Sequence, residues 1–269
     1  MAASSSSRTV IDSPSATGTE GTPVKEQLLA RLERIRAEHR NANRSSAIAT
    51  LISELRYLSR TLAVTAHALD TDMEYHHEIE AIVSRADSLD RVRTDDAGNV
   101  MNGMLATYEM YALLAKMRFI GRTDEQNLIQ EIHDEAIRKL QPEIPVVDAA
   151  AGFADACYSL SRMIIDDIDS ESHFESAFEH IEHQYAQGKR VAGSEEDHFL
   201  NGIFRTFEIS QLWLLALNPR MTKDVSEMNS GISSESAEAT NVGTQMGIAV
   251  KYLYHISTLI AEQTIELTL

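Results

Sequence analysis

A chain of 269 residues with 43% hydrophobic content is long enough to bury one large core or two ordinary ones. Its 41 acidic residues outnumber 24 basic ones, and the net charge of −17 repels phosphate backbones and anionic lipid, so nucleic acid is not the expected partner. The longest uncharged apolar run, ISQLWLLALNP, falls far short of the roughly 20 residues a membrane helix needs, so no membrane span is expected.

Residues 1–22 are rich in Ser, Thr and Gly and nearly free of large apolar side chains. Such a segment buries too little surface to offset its ordering entropy, and it reads as a disordered tail. It carries no apolar h-region, which points to a cytoplasmic protein, with export by a route that needs no Sec signal as the alternative.

From Pro23 onward apolar residues recur at helical spacing, as in Leu51, Ile52, Leu55, Leu58 and Leu62, and the fold class is all-α. Helices are predicted near 24–42, 45–69, 72–90, 96–120, 123–141, 146–168, 172–188, 194–217 and 236–267. Pro23 suits a first turn. Thr71 before Glu74, Thr123 before Gln126 and Ser172 before Glu175 have capping-box spacing, and Ser194 is a further cap. The first helix carries a local basic patch of Arg31, Arg34, Arg36 and Arg40. The single cysteine, Cys157, lies in the small apolar context AAAGFADACYSL. It reads as a buried hydrophobe, with Asp148, Asp155 and Asp166 nearby in place of the cations that would activate a thiol.

One phrase occurs twice. NGMLATYE at 102–109 returns as NGIFRTFE at 201–208, displaced by 99 residues. At the same displacement Arg91, Asn102, Gly103, Thr107 and Glu109 meet Arg190, Asn201, Gly202, Thr206 and Glu208. Further identities at Leu29/Leu128, Ala37/Ala136, Asp70/Asp169 and Ile82/Ile181 extend the match without gaps across four helices. The expected organisation is a tandem duplication of a four-helix unit: a first helical repeat at 23–121, a second at 122–219, a polar linker at 220–235 and a C-terminal helix at 236–269. Twice the displacement lays Leu253, Ser257 and Ala261 over Leu55, Ser59 and Ala63, so the last helix resembles the second helix of a truncated third copy. Its stripe of Val250, Leu253, Ile256, Leu259 and Ile260 needs cover, either by capping the second copy or by exchange with another subunit.

The repeated polar residues flank an apolar helix face, and the favoured reading is a structural clasp at a helix crossing. Glycine inside a helix costs about 1 kcal/mol relative to alanine, so Gly103 and Gly202 imply a close approach. Buried Asn and Glu need partners, for which Arg91 and Arg190 are the candidates. The alternative is a ligand groove in each copy.

Glu74-x-x-His77 and Glu195-x-x-His198 match the unit that carboxylate-bridged metal bundles place on facing helices, with Glu54, Glu109, Glu131 or Glu208 as further donors. The two pairs are not equivalent under the duplication, and acidic residues just after Ser194 also suit a helix start. His173, His180 and His183 read as a solvated polar face. No phosphate loop or nucleophile elbow is present.

The sequence thus leads to a non-enzymatic helical adaptor or scaffold, without a cofactor, that binds protein partners and self-associates. The rival readings are a carboxylate/His metal enzyme and a binder of a small apolar ligand, the latter suggested by ten methionines and by Phe204, Phe207 and Trp213.

Overall fold

Every regular element of the structure, a computed structural model that describes residues 24–42, 45–88, 96–139, 145–168, 195–239 and 241–268, is helical. Among these residues there are nine α-helices, one 3-10 turn and no strand. In chain order they are α1 (Val24–Arg40), α2 (Ala47–Leu69), α3 (His76–Ser88), α4 (Asp96–Arg118), α5 (Thr123–Lys139), α6 (Val146–Ile168), α7 (Glu195–Leu217), the turn Pro219–Met221, α8 (Thr222–Glu238) and α9 (Val242–Thr268). None of the described helices is long and apolar enough to cross a membrane.

Five long helices form a closed ring in which α2 packs on α4, α4 on α6, α6 on α7, α7 on α9 and α9 back on α2, while α4 also touches α7. The others lie against this ring, α1 on α2, α3 on α2 and α4, α5 on α6 and α4, and α8 on α9. The core between them is drawn from every ring helix, including Leu55, Tyr111, Phe153, Ile203 and Leu253, each essentially fully buried. A Leu, Ile or Phe buried this completely contributes roughly 1.5–3 kcal/mol. Polar side-chain pairs join the ring as well: Thr65 meets Thr264 at 2.7 Å inside the core, and the half-buried Asn218, just past the end of α7, donates to Gln263 of α9 at 2.7 Å.

Helix lengths repeat. α1 and α5 both have 17 residues, and α2, α6, α4 and α7 all have 23. α5, α6 and α7 begin 99 residues after α1, α2 and α4 respectively. The counterpart of α3 would fall in the helix expected at 172–188. That segment, with Arg91, Arg190, Ser172, Ser194 and the histidines from His173 to His183, lies outside the described residues.

Two expectations are corrected. The polar linker at 220–235 is instead the helix α8, and the terminal helix starts at Val242. The Asn218 side chain accepts from the Arg220 N–H at 3.0 Å and starts the turn. Val225 and Met228 are then buried, with Met221 and Ile232 packed beside them at helical spacing. Gln211 donates to Asn229 at 2.7 Å, and Tyr252 donates to Glu235 at 2.9 Å, so α8 is tied to both α7 and α9.

The second correction concerns α3, which begins at His76 rather than near 72. The Asp70 carboxylate accepts the Tyr75 N–H at 3.0 Å, and Met73 turns the chain with a positive φ of 56°. This turn replaces the capping box expected of Thr71 and Glu74. The stripe on α9 is covered within its own chain, since Leu253, Ile256 and Ile260 are fully buried and Val250 and Leu259 are half-buried, with α2 and α7 as the neighbours.

Candidate functional site

The repeated phrase divides into a part shared by both copies and a part that differs. Thr107 donates to the Gly103 carbonyl at 2.9 Å, and Thr206 donates to the Gly202 carbonyl at the same distance. Both hydroxyls are thus satisfied within their own helix. A Cβ on Gly103 would stand 2.8 Å from the Leu55 Cβ, so α4 crosses α2 there; one on Gly202 would meet the Met104 Cε at 2.2 Å. Asn102 is buried and Asn201 half-buried.

The glutamates have different partners. Glu109 is buried, with Arg85 donating to it at 3.3 Å and the His133 Nε2 at ion-pair distance, 3.6 Å away, the His133 ring stacking on Tyr108. The Glu109 carboxylate raises the His133 pKa above its ordinary value. Glu208 is wholly enclosed and lies 2.5 Å from the equally enclosed Arg205. Burial pushes its carboxyl up to about 8, against the pull of Arg205. None of these three partners, Arg85, His133 and Arg205, is one of the arginines expected from the sequence, which lie outside the described residues. Cys157 is buried and its thiol is pushed upward by desolvation, so it is no activated nucleophile.

Of the two candidate metal pairs, the first departs from the helical arrangement expected of it. Glu74 precedes α3 and His77 lies within it, so they are not one helical turn apart on a common face, and both are exposed. Glu195 and His198 fall in the first turn of α7. Among the described residues no group of three or more His, Cys, Asp or Glu is placed to hold a metal ion.

What the structure assembles instead is a cleft at one end of the ring. α4 and α7 run side by side in the same direction and in register. Tyr111 donates to Ser210 at 2.6 Å, and the Tyr111 ring stacks on Trp213 with centroids 6.3 Å apart. Ser210 passes its own proton to the Thr206 carbonyl at 2.6 Å. One turn further on, Leu114 and Trp213, Met117 and Ala216, and Arg118 and Leu217 all line a cleft of about 400 Å³. The members of each pair are 99 residues apart. Trp213 is buried, and its Nε1–H has no hydrogen-bond partner among the described residues.

The rim of the cleft is apolar and acidic together. Leu69 and Ile120 line it and are 39% and 59% exposed; Met73, between the lining residues Asp72 and Glu74, is 64% exposed. Large apolar side chains presented this openly around a concave floor mark interaction surfaces. Asp70, Asp72 and Glu74 supply carboxylates, while the basic lining residue Arg118 is already held by Asp167 at 2.6 Å. Leu69, Arg118 and Leu217 are the last residues of α2, α4 and α7, so three helix C-termini converge here, each with the negative end of its macrodipole. The Tyr75 phenol reports this field: burial, then Glu74, Glu78 and Asp70, raise its pKa.

A second cleft of about 420 Å³ lies along α1 and α2. His39 lines it, paired with the buried Glu54 at 2.9 Å and stacked on Tyr57 and Tyr254. Two of its lining residues, Arg60 and Glu38, form an ion pair with each other.

Of the cleft residues the sequence singled out Trp213 within an apolar cluster, and Asp70, Thr71 and Glu74 only as a repeat match, a cap and a metal candidate. Phe207 packs edge-on to Tyr252 inside the core and Phe204 is half-buried. Leu69, Met73 and Ile120 lie at helix ends and turns, where periodicity is silent; the signal available was an apolar residue just past each helix end. No protein-family model matches the chain, and neither the curated proteins nor the solved structures contain a match.

Proposed function

We propose that this chain is a non-enzymatic α-helical interaction protein whose cleft at the C-terminal ends of α2, α4 and α7 docks a partner protein. The observation that carries this reading is the exposed apolar pair Leu69 and Ile120, with exposed Met73 in the turn between the lining residues Asp72 and Glu74, around a floor of Leu114, Met117 and Trp213. Met73 adds to it, because a non-glycine residue held at positive φ with its side chain in solvent is a costly arrangement that clusters at functional sites.

The scaffold is a tandem duplication, with repeats over 23–121 and 122–219 and α9 as the second helix of a truncated third copy. Support comes from the equal helix lengths at a displacement of 99 residues and from the in-register pairing of α4 with α7. The packing of α9 on α7 also corresponds to that of α6 on α4. Leu55 and Leu253, Ser59 and Ser257, and Ala63 and Ala261 are buried in both members of each pair. Stacked repeats bury a continuous core only when the last one is capped, and α9 supplies that cap.

The test uses the full chain as bait. Protein partners recovered by the wild type and by Leu128→Asp, a control at an exposed leucine on α5, are lost with Ile120→Asp. Equal recovery by all three overturns the reading. A cleft of this volume with an apolar floor also fits a small apolar ligand, and a bound small molecule in native mass spectra, displaced by Ile120→Asp, marks that second reading.

A further inference from the structure

We propose that the segment docking in this cleft is a basic amphipathic helix of the partner, its apolar face on Leu69, Ile120 and Trp213 and its Lys or Arg side chains on Asp72 and Glu74. This rests on the docking function proposed above and adds the chemistry of the occupant.

The charge of the cleft selects the sign. Asp72 and Glu74 are exposed lining carboxylates with no ion pair to a base among the described residues, while Arg118 is engaged by Asp167 and offers little to an anion. The convergent C-termini of α2, α4 and α7 add partial negative charge from carbonyls that a helix end leaves without intrahelical donors. A chain of net charge −17 draws a cationic partner in from a distance as well. An acidic or phosphorylated segment would meet repulsion from every one of these groups.

The geometry selects the shape. The exposed apolar residues come from the end of α2, the turn before α3 and the end of α4, so they stand around a concave floor of about 400 Å³ rather than along a flat sheet edge. A helix presenting apolar residues every third or fourth position lies in such a groove, with its polar flank toward the carboxylate side. Trp213, whose indole N–H has no hydrogen-bond partner among the described residues, belongs to this floor.

Trp213 is the sole tryptophan of the chain, so its fluorescence reads occupancy of the cleft directly. The probe is a synthetic Leu/Lys-patterned helical peptide of about five turns without tryptophan, compared with a Leu/Glu peptide of the same pattern. The Leu/Lys peptide is expected to shift Trp213 emission saturably, and the Leu/Glu peptide to leave it unchanged. Asp72→Lys with Glu74→Lys weakens binding about tenfold or more, from two partly desolvated charge contacts. Glu131→Lys with Glu227→Lys, an equal change in net charge at exposed sites elsewhere, weakens it by less than about threefold. The melting temperature of each variant confirms that it is folded.

Unchanged Trp213 emission, equal response to both peptides, or equal weakening by the two charge-reversal pairs overturns the proposal. If the peptide fails while Ile120→Asp still releases a native partner, the cationic chemistry is wrong and the docking function stands. If both fail, the cleft is not a docking site.

Discussion

Tyr111 donates a hydrogen bond to Ser210 at 2.6 Å, and the two residues occupy the same position in sequence segments 99 residues apart. This contact puts α4 and α7 in register, so both helices end at the same cleft. Tyr111→Phe leaves Ser210 bonded to the Thr206 carbonyl and removes only the cross-helix bond. A loss of about 1 kcal/mol in urea unfolding is expected. A double-mutant cycle with Ser210→Ala gives a coupling of similar size, and additivity contradicts the contact.

The two repeated glycines separate by what lies against them. Gly103→Ala drives a Cβ against the Leu55 Cβ on a neighbouring helix and forces α2 from α4. The strain outweighs the about 1 kcal/mol gained in helix propensity, for a net loss of about 1–2 kcal/mol. Gly202→Ala meets only the end of the flexible Met104 side chain and stays within about 1 kcal/mol of the wild type. Thermal melts of the two variants side by side check the order.

Glu208 makes stability depend on pH in a direction opposite to the usual carboxylate. Its folded pKa of about 8 lies above the ordinary 4.5, so the folded chain keeps a proton that the unfolded chain releases. That contribution is complete below about pH 4.5 and is lost as pH rises toward about 8. Between pH 5 and pH 8 wild-type stability therefore falls by a few kcal/mol relative to Glu208→Gln. Denaturant midpoints of both proteins across this range show it, and parallel curves contradict it.

His133 titrates above the ordinary histidine value because the Glu109 carboxylate favours its charged form. Its stabilising contribution is complete below about pH 6.5 and is lost as pH rises through the raised pKa. Glu109→Gln lowers the His133 midpoint in an NMR titration; an unmoved midpoint contradicts the pairing.

Ending the chain after Ala239 removes α9 and uncovers α2 and α7. Losing Leu253, Ile256 and Ile260 alone costs several kcal/mol, a large part of the total stability of a domain. The truncated chain is expected to melt broadly and bind a hydrophobic dye, whereas a sharp melt like that of the full chain contradicts the capping role.

The all-helical architecture was legible because periodicity and caps act locally. Helix ends at Leu69, Arg118, Ile168 and Leu217 lie within about two residues of the periodicity reading, at the limit of such readings. α8 was missed because Ser, Glu, Asn and Gly dominate its surface, while the stripe of Met221, Val225, Met228 and Ile232 that buries it is narrow. The partners of Glu109 were illegible for a different reason. Arg85 and His133 come from separate helices, and only tertiary packing brings them to one carboxylate. The cleft was hidden because it is made of helix ends: Leu69, Met73 and Ile120 acquire meaning only when α2, α4 and α7 finish side by side.

The most direct measurement is photo-crosslinking in living cells with a photo-activatable residue at position 120 and, as a control, at position 128. Adducts to a discrete protein partner at position 120 and none at position 128 are predicted. No protein adduct at position 120, or the same adducts from both positions, would contradict the assignment of the cleft as a docking site.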